Sequence, residues 1–259
     1  MDQTALITGA SSGIGYELAF IFAREGYNLV LVARSEQKLN EIKSLLEKQY
    51  KARVSVIACD LSVFEEVKGL VSQIKKSGID VDILVNNAGF GDSGFFIETN
   101  WEKESQMLDL NIRALTYLTK EFATLMAVRK KGRIMNVAST AAFFPGPLMA
   151  VYYATKAYVL SLTEALGNEL KDKGISVTAL CPGPTASGFQ SMAGIEDSKL
   201  VKGKKLPTSK EVAEFGYKAL MNGKRVAIPG LMNKMQVFMT RLTPRNILTS
   251  AVRYMSENA

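Results

Sequence analysis

The sequence predicts one α/β domain, a doubly wound parallel sheet with helices on both faces. Three observations predict it. Short apolar runs alternate with segments of helical periodicity along most of the 259 residues. A glycine-rich turn follows the first of these runs directly. No internal repeat, low-complexity tract or linker rich in Pro, Gly or Ser divides residues 1–259, so a single domain is the simpler reading.

Taken in order, the strand-like runs are Thr4 to Thr8, Leu29 to Ala33, Val54 to Ala58, Ile83 to Val85, Ile134 to Val137 and Val177 to Leu180. Between the first two, Ile14, Leu18, Ile21 and Phe22 recur at helical spacing, and Gly26 is the expected C′ residue. That makes a βαβ unit. Residues Val151 to Leu170 have the composition of a helix. Pro184 to Pro207, with Gly188, Gly194, Gly203 and several lysines, is expected to be a long mobile loop on the substrate side.

Composition narrows the chemistry. With 47% hydrophobic and 22% charged residues the chain has material for a large core. Met1-Asp2-Gln3 has no basic leader region, and no apolar run approaches the roughly 18 residues of a membrane span. A cytoplasmic location is the default expectation. Cys59 and Cys181 each end a strand-like run, which argues for buried thiols and against a disulfide framework. The chain has no histidine, which removes Ser-His-Asp and Cys-His nucleophile systems and every His-based metal site; no metal is expected. Acid/base work falls to Tyr, Lys, Asp, Glu or Cys. The net charge of +7 is scattered among acidic residues, so a nucleic-acid partner is not expected.

The turn after the first run reads Thr8-Gly9-Ala10-Ser11-Ser12-Gly13-Ile14-Gly15. Glycine tolerates positive φ and lets backbone approach a pyrophosphate, and a helix N-terminus favours negative charge. A dinucleotide fits such a turn; a merely tight strand-to-helix connection is the alternative. The spacing resembles the Thr-Gly-x-x-x-Gly-x-Gly of the short-chain dehydrogenase/reductase family. Further along, Asn86-Asn87-Ala88-Gly89 matches the family's Asn-Asn-Ala-Gly, and Tyr152-Tyr153-Ala154-Thr155-Lys156 contains its Tyr-x-x-x-Lys. Ser139 stands 13 residues before Tyr152, Asn111 falls in a helical segment, and Pro182-Gly183 follows the sixth run. The motifs keep the family's order from residue 8 to about 187.

The resemblance implies a Rossmann-like fold and a nicotinamide cofactor. Gly9, Ser11, Ser12, Gly13, Ile14 and Gly15 would cradle its phosphates, Asp60 and Leu61 would lie near the adenine, and Asn87, Ala88 and Gly89 beside the nucleoside. Pro182, Gly183 and Thr185 would be on the nicotinamide side, where Ser187 replaces the threonine of many relatives. Asp60 has a second reading as a helix cap for a segment beginning at Ser62. The second run ends in Arg34, where a site selective for NAD is expected to carry a carboxylate for the ribose 2′-OH. A guanidinium pairs with a 2′-phosphate instead, so NADP(H) is the expected cofactor, a solvated loop cation being the bland reading.

Carbonyl reduction needs a hydride on carbon and a proton on oxygen, and the protein must handle the proton. Tyr152 and Lys156, four positions apart, leave one face of a helix. The ammonium is expected to favour ionisation of the phenol. By resemblance, Tyr152 is the acid/base, Lys156 also binds the nicotinamide ribose, Ser139 orients the substrate oxygen and Asn111 holds a relay water. Tyr153 is the rival phenol, three positions from Lys156. Phe90, Phe143, Phe144, Phe189 and Met192 are expected to wall an apolar substrate, a ketone or aldehyde. A 3-oxoacyl-thioester reductase is the alternative, with Lys199, Lys202, Lys204 and Lys205 as a basic site for an acidic carrier; a catalytically idle NADP(H)-binding regulator is the rival from another class. The resemblance also implies a homodimer or homotetramer. Residues 231–259 depart from it: Leu231, Met232, Met235, Phe238, Met239 and Leu242 interleave with Lys234, Arg241 and Arg245. The favoured expectation is a helix packed over the substrate mouth or a subunit, rather than an interfacial membrane helix.

Overall fold

The computed structural model describes residues 3–257. Its centre is a parallel sheet of β1 (Thr4–Thr8), β2 (Asn28–Ala33), β3 (Val54–Ala58), β4 (Val81–Asn86), β5 (Gly132–Val137), β6 (Ile175–Leu180) and β7 (Val226–Ala227). The strand order is β3-β2-β1-β4-β5-β6-β7. The order reverses between β1 and β4, and a crevice opens there beyond the carboxyl ends of the strands.

Alternation along β1 explains the two layers. Ala5 and Ile7 point to one face, Leu6 to the other. The first face is covered by α1 (Gly13–Arg24), α2 (Glu36–Tyr50) and α8 (Ser209–Met221), through Leu18, Phe22, Leu39, Leu46, Val212 and Leu220. The second is covered by α3 (Phe64–Lys76) and α5 (Leu115–Arg129), through Leu70, Ile74, Leu118 and Phe122, and by α6 (Ala150–Glu169), through Val159 and Leu160. Phe22 and Phe122 are fully buried, and each such ring stabilises the fold by about 1.5–3 kcal/mol. Both cysteines are free and buried.

Helix α4 (Trp101–Leu108) runs into α5 through a π-helical segment, Asp109–Ala114. The remaining α-helices among the described residues are α7 (Phe189–Ala193), α9 (Leu231–Met239) and α10 (Arg245–Ser256). Gly26, at φ +83°, ends α1 as expected.

The structure corrects the sequence reading in several places. Among the described residues there are seven strands, not six: β7 has two residues, too short for periodicity to show, and is tied to β6 by Ala179 N–H to Arg225 O and Cys181 N–H to Ala227 O, both 2.8 Å. The segment 184–207 is no featureless loop, because it contains α7 and buries Gln190, Ala193, Ile195 and Ser198. Helix α3 begins at Phe64 with Val63 as its N-cap, so Asp60 does not cap it. In α9 only Val237 is buried; of the two packings expected for its apolar side chains, over the mouth or against a subunit, the first is not formed, and Leu231, Met232, Met235, Phe238 and Met239 are exposed.

Candidate active site

The turn between β1 and α1 is shaped by its glycines. Gly9 and Gly13 have φ of +65° and +58°, and a Cβ on Gly9 would stand 2.8 Å from Asn87 Nδ2. A Cβ on Gly15 would strike Gly9 O and Asn87 Nδ2. Thr8 Oγ1 accepts the N–H groups of Asn87 and Ala88, both at 3.0 Å, while Asn87 Nδ2 donates to the carbonyls of Thr8 (2.9 Å) and Gly9 (3.2 Å). The turn is thereby lashed to the end of β4. At the start of α1, Ser12 makes no side-chain cap and the first turn has no acidic residue. Its backbone N–H groups are left for an anion.

At one end of the crevice, Arg34 follows β2 and is exposed. Ser35 caps α2 by accepting the N–H of Lys38 at 3.4 Å, which sets Lys38 on the same rim. Asp60 folds an Asx turn, accepting Ser62 N–H at 2.9 Å and Ser62 Oγ–H at 2.7 Å.

At the other end, α6 brings Tyr152 and Lys156 inward, 8% and 5% exposed. Lys156 Nζ donates to Val137 O at 2.9 Å and stands 5.8 Å from the Tyr152 ring centre. Burial pushes the lysine down to about 8. It pushes the Tyr152 phenol above its ordinary value, against a hydrogen bond with the Ser139 hydroxyl. The lowering expected from Lys156 is not among the causes of this shift: desolvation dominates, and the Ser139 hydroxyl opposes it. Ser139 is held by accepting Ala141 N–H at 3.1 Å. Tyr153 faces Ser256 of α10 and is pushed up to about 12 by burial.

Asn111 occupies the π-helical segment and is 1% exposed. Its Nδ2 donates to Phe90 O (2.9 Å) and Thr155 Oγ1 (3.1 Å), and its Oδ1 accepts Phe90 N–H at 3.2 Å. Thr155 in turn donates to Tyr152 O at 2.7 Å. The Asn111 side chain thus fixes the residue after Gly89 and braces α6. Such irregular helical turns recur at functional sites.

One cleft of about 520 Å³ joins these parts. It is lined by Gly9, Ser11, Ser12, Gly13, Ile14, Arg34, Asp60, Leu61, Asn87, Ala88, Gly89, Ser139, Tyr152, Lys156, Pro182, Gly183 and Thr185. Gly15 and Asn111 lie behind the wall. Phe90, Phe189 and Met192 line the apolar end, but Phe143 and Phe144 do not. Phe143 packs instead near Val159 and Leu160, Phe144 near Met149 and Tyr153. Sequence reasoning missed Lys38, whose only signal was its place one turn after Arg34, and Met149, Ile195 and Leu200, which carried none. Of the lysines considered for an acidic carrier, Lys199 pairs with Glu257 at 3.8 Å and Lys202 with Asp197 at 3.4 Å. Among the described residues no group of three or more Cys, Asp or Glu side chains could hold a metal ion, and no helix is long and apolar enough to cross a membrane.

The family model described as short chain dehydrogenase matches residues 3–198. The chain is 36% identical over 177 residues to a very-long-chain 3-oxoacyl-CoA reductase of Phaeosphaeria nodorum, covering 67% of this chain and 52% of that protein. It is 35% identical over 188 residues to 17-beta-hydroxysteroid dehydrogenase type 3 of Mus musculus, covering 70% and 60%. These matches thus span little more than half the length of those relatives. A solved short-chain dehydrogenase from Sphingobium yanoikuyae, in complex with NADPH, superposes with a TM-score of 0.83 at 32% identity, covering 93% of this chain and 94% of that one.

Proposed function

The chain belongs to the short-chain dehydrogenase/reductase family of oxidoreductases, and from that premise we propose that it uses NADP(H) to interconvert an apolar ketone or aldehyde with its alcohol. One observation carries the reading: Tyr152, Lys156 and Ser139 meet at the apolar end of the same cleft that holds the uncapped helix N-terminus and, at its far rim, Arg34 and Lys38.

Bound NADPH would supply the hydride. The rest falls to the chain. The phenol that burial keeps protonated gives its proton to the carbonyl oxygen in reduction and takes it back in oxidation. Ser139, fixed by Ala141, orients that oxygen beside Tyr152. Lys156, anchored on Val137 O, presents its remaining N–H groups toward a nicotinamide ribose and places positive charge beside the phenol. The free N–H groups of Gly13 and its neighbours hold the pyrophosphate. Arg34 and Lys38 hold the 2′-phosphate, which a carboxylate on this rim would repel. The NADPH bound by the Sphingobium yanoikuyae relative supports this choice.

Phe90, Phe189, Met192 and Met149 favour an apolar substrate. The fungal 3-oxoacyl-CoA reductase favours a second reading, an oxoacyl thioester, which the pairing of Lys199 and Lys202 with carboxylates weakens. The convergence of Tyr152, Lys156 and Ser139 in one cleft speaks against an idle nucleotide-binding regulator. The test is NADPH oxidation over aldehydes, ketones, oxosteroids and oxoacyl thioesters. Turnover of an apolar ketone or aldehyde supports the reading; NADPH binding with no turnover of any class counts against it.

A further inference from the structure

Helix α9 is amphipathic, and its apolar side faces outward. At about 100° per residue, Leu231, Met232, Met235, Phe238 and Met239 share an arc of about 120°. All five are exposed, Leu231 at 82% and Phe238 at 56%. The opposite side is used up: Val237 is buried, Asn233 Nδ2 donates to Pro229 O at 2.8 Å, and Asn233 lies against Gly183 of the cleft wall. Leu242, 66% exposed, continues the patch beyond the helix. Contiguous exposed apolar surface of this kind marks a contact site.

Its charge says what it contacts. Residues 228–256 contain Lys234, Arg241, Arg245 and Arg253 and no carboxylate. Arg253 is engaged, pairing with Glu257 at 3.1 Å and standing 4.8 Å from the Phe95 ring centre. Lys234, Arg241 and Arg245 are exposed, and none of the ion pairs among the described residues uses them. We propose that α9 and the turn after it form a monotopic docking face for an anionic lipid bilayer, with the five apolar side chains entering the headgroup boundary and the three cations lying against lipid phosphates. A second copy of the chain fits less well. A two-fold interface sets the same patch against itself, bringing these cations together with no acid between them. Because α9 backs on Gly183, docking here puts the cleft next to the lipid. The proposal rests on the surface alone and does not depend on the chemistry of Tyr152.

The experiment is co-sedimentation of the full chain with phosphatidylcholine vesicles, with and without phosphatidylglycerol, at low and high salt. Thermal unfolding serves as the check of folding. The expected result is pelleting with the anionic vesicles at least about ten-fold above the neutral ones, weakened by salt. A Met235→Asp/Phe238→Asp variant, altered only at exposed positions, folds normally and loses the binding. An Arg241→Glu/Arg245→Glu variant loses the anionic preference by roughly five-fold or more per cation. Failure of the wild-type chain to bind either vesicle overturns the proposal, whether it is then a monomer or a dimer that the aspartate variant dissociates. Equal binding to both vesicles, insensitive to salt, also overturns it.

Discussion

Lys156 Nζ donates to the backbone carbonyl of Val137 at 2.9 Å, tying the middle of α6 to the last residue of β5. The bond fixes where an ammonium can stand, and the same burial that shields it disfavours its charge. Both effects are measurable.

The first prediction concerns stability. Lys156 sits at about 8 in the fold against an ordinary value of 10.5. Between these values the unfolded chain binds more protons than the folded one. Lys156 therefore makes stability rise with pH across that window, by up to about 1.4 kcal/mol per pH unit. Its cost is fully present below about pH 8. Cys59 and Cys181, pushed up to about 12 by burial, act oppositely above pH 9. The comparison is consequently between wild type and Lys156→Met: the wild-type chain gains on the variant from pH 8 to 10.5 in denaturant titrations. A constant difference contradicts the assignment.

The second concerns cofactor choice. Arg34→Glu places a carboxylate where Lys38 and the 2′-phosphate would meet, and is expected to weaken NADPH at least ten-fold while sparing or improving NADH. Lys38→Ala should act in the same direction and less strongly. Fluorescence titration with both nucleotides checks this; equal affinities in the wild-type chain defeat it.

The third concerns Asn111. Asn111→Ala removes three hydrogen bonds and leaves Phe90 N–H and C=O without their partners, a loss of about 1–3 kcal/mol. For a chain of this size that lowers the melting midpoint by several degrees, roughly 2–4 °C per kcal/mol. Calorimetry that finds no change means the clamp carries no weight.

The layout of the sheet was legible because parallel strands buried on both faces leave continuous apolar runs, and the glycine turn because its backbone requires glycine at 9 and 13. Other features leave no such trace. Strand β7 owes its existence to β6, and two residues have no period. The walls supplied by Met149, Ile195 and Leu200 depend on how 184–207 folds back, a tertiary result. Asn111 was found by resemblance, yet its side chain faces Phe90 and Thr155 rather than the cleft, a direction that only the π-helical segment sets. The outward apolar side of α9 inverts the usual rule of burial, so patterning alone could not choose among the mouth, a subunit and a membrane surface.

The proposed chemistry turns on the Tyr152 phenol as the proton donor. Its most direct test is steady-state turnover and NADPH affinity of Tyr152→Phe, with the best substrate from the screen. If Tyr152 gives the proton, kcat falls about 10² to 10⁴-fold with NADPH bound as tightly as before; turnover equal to that of the wild-type chain would contradict that role.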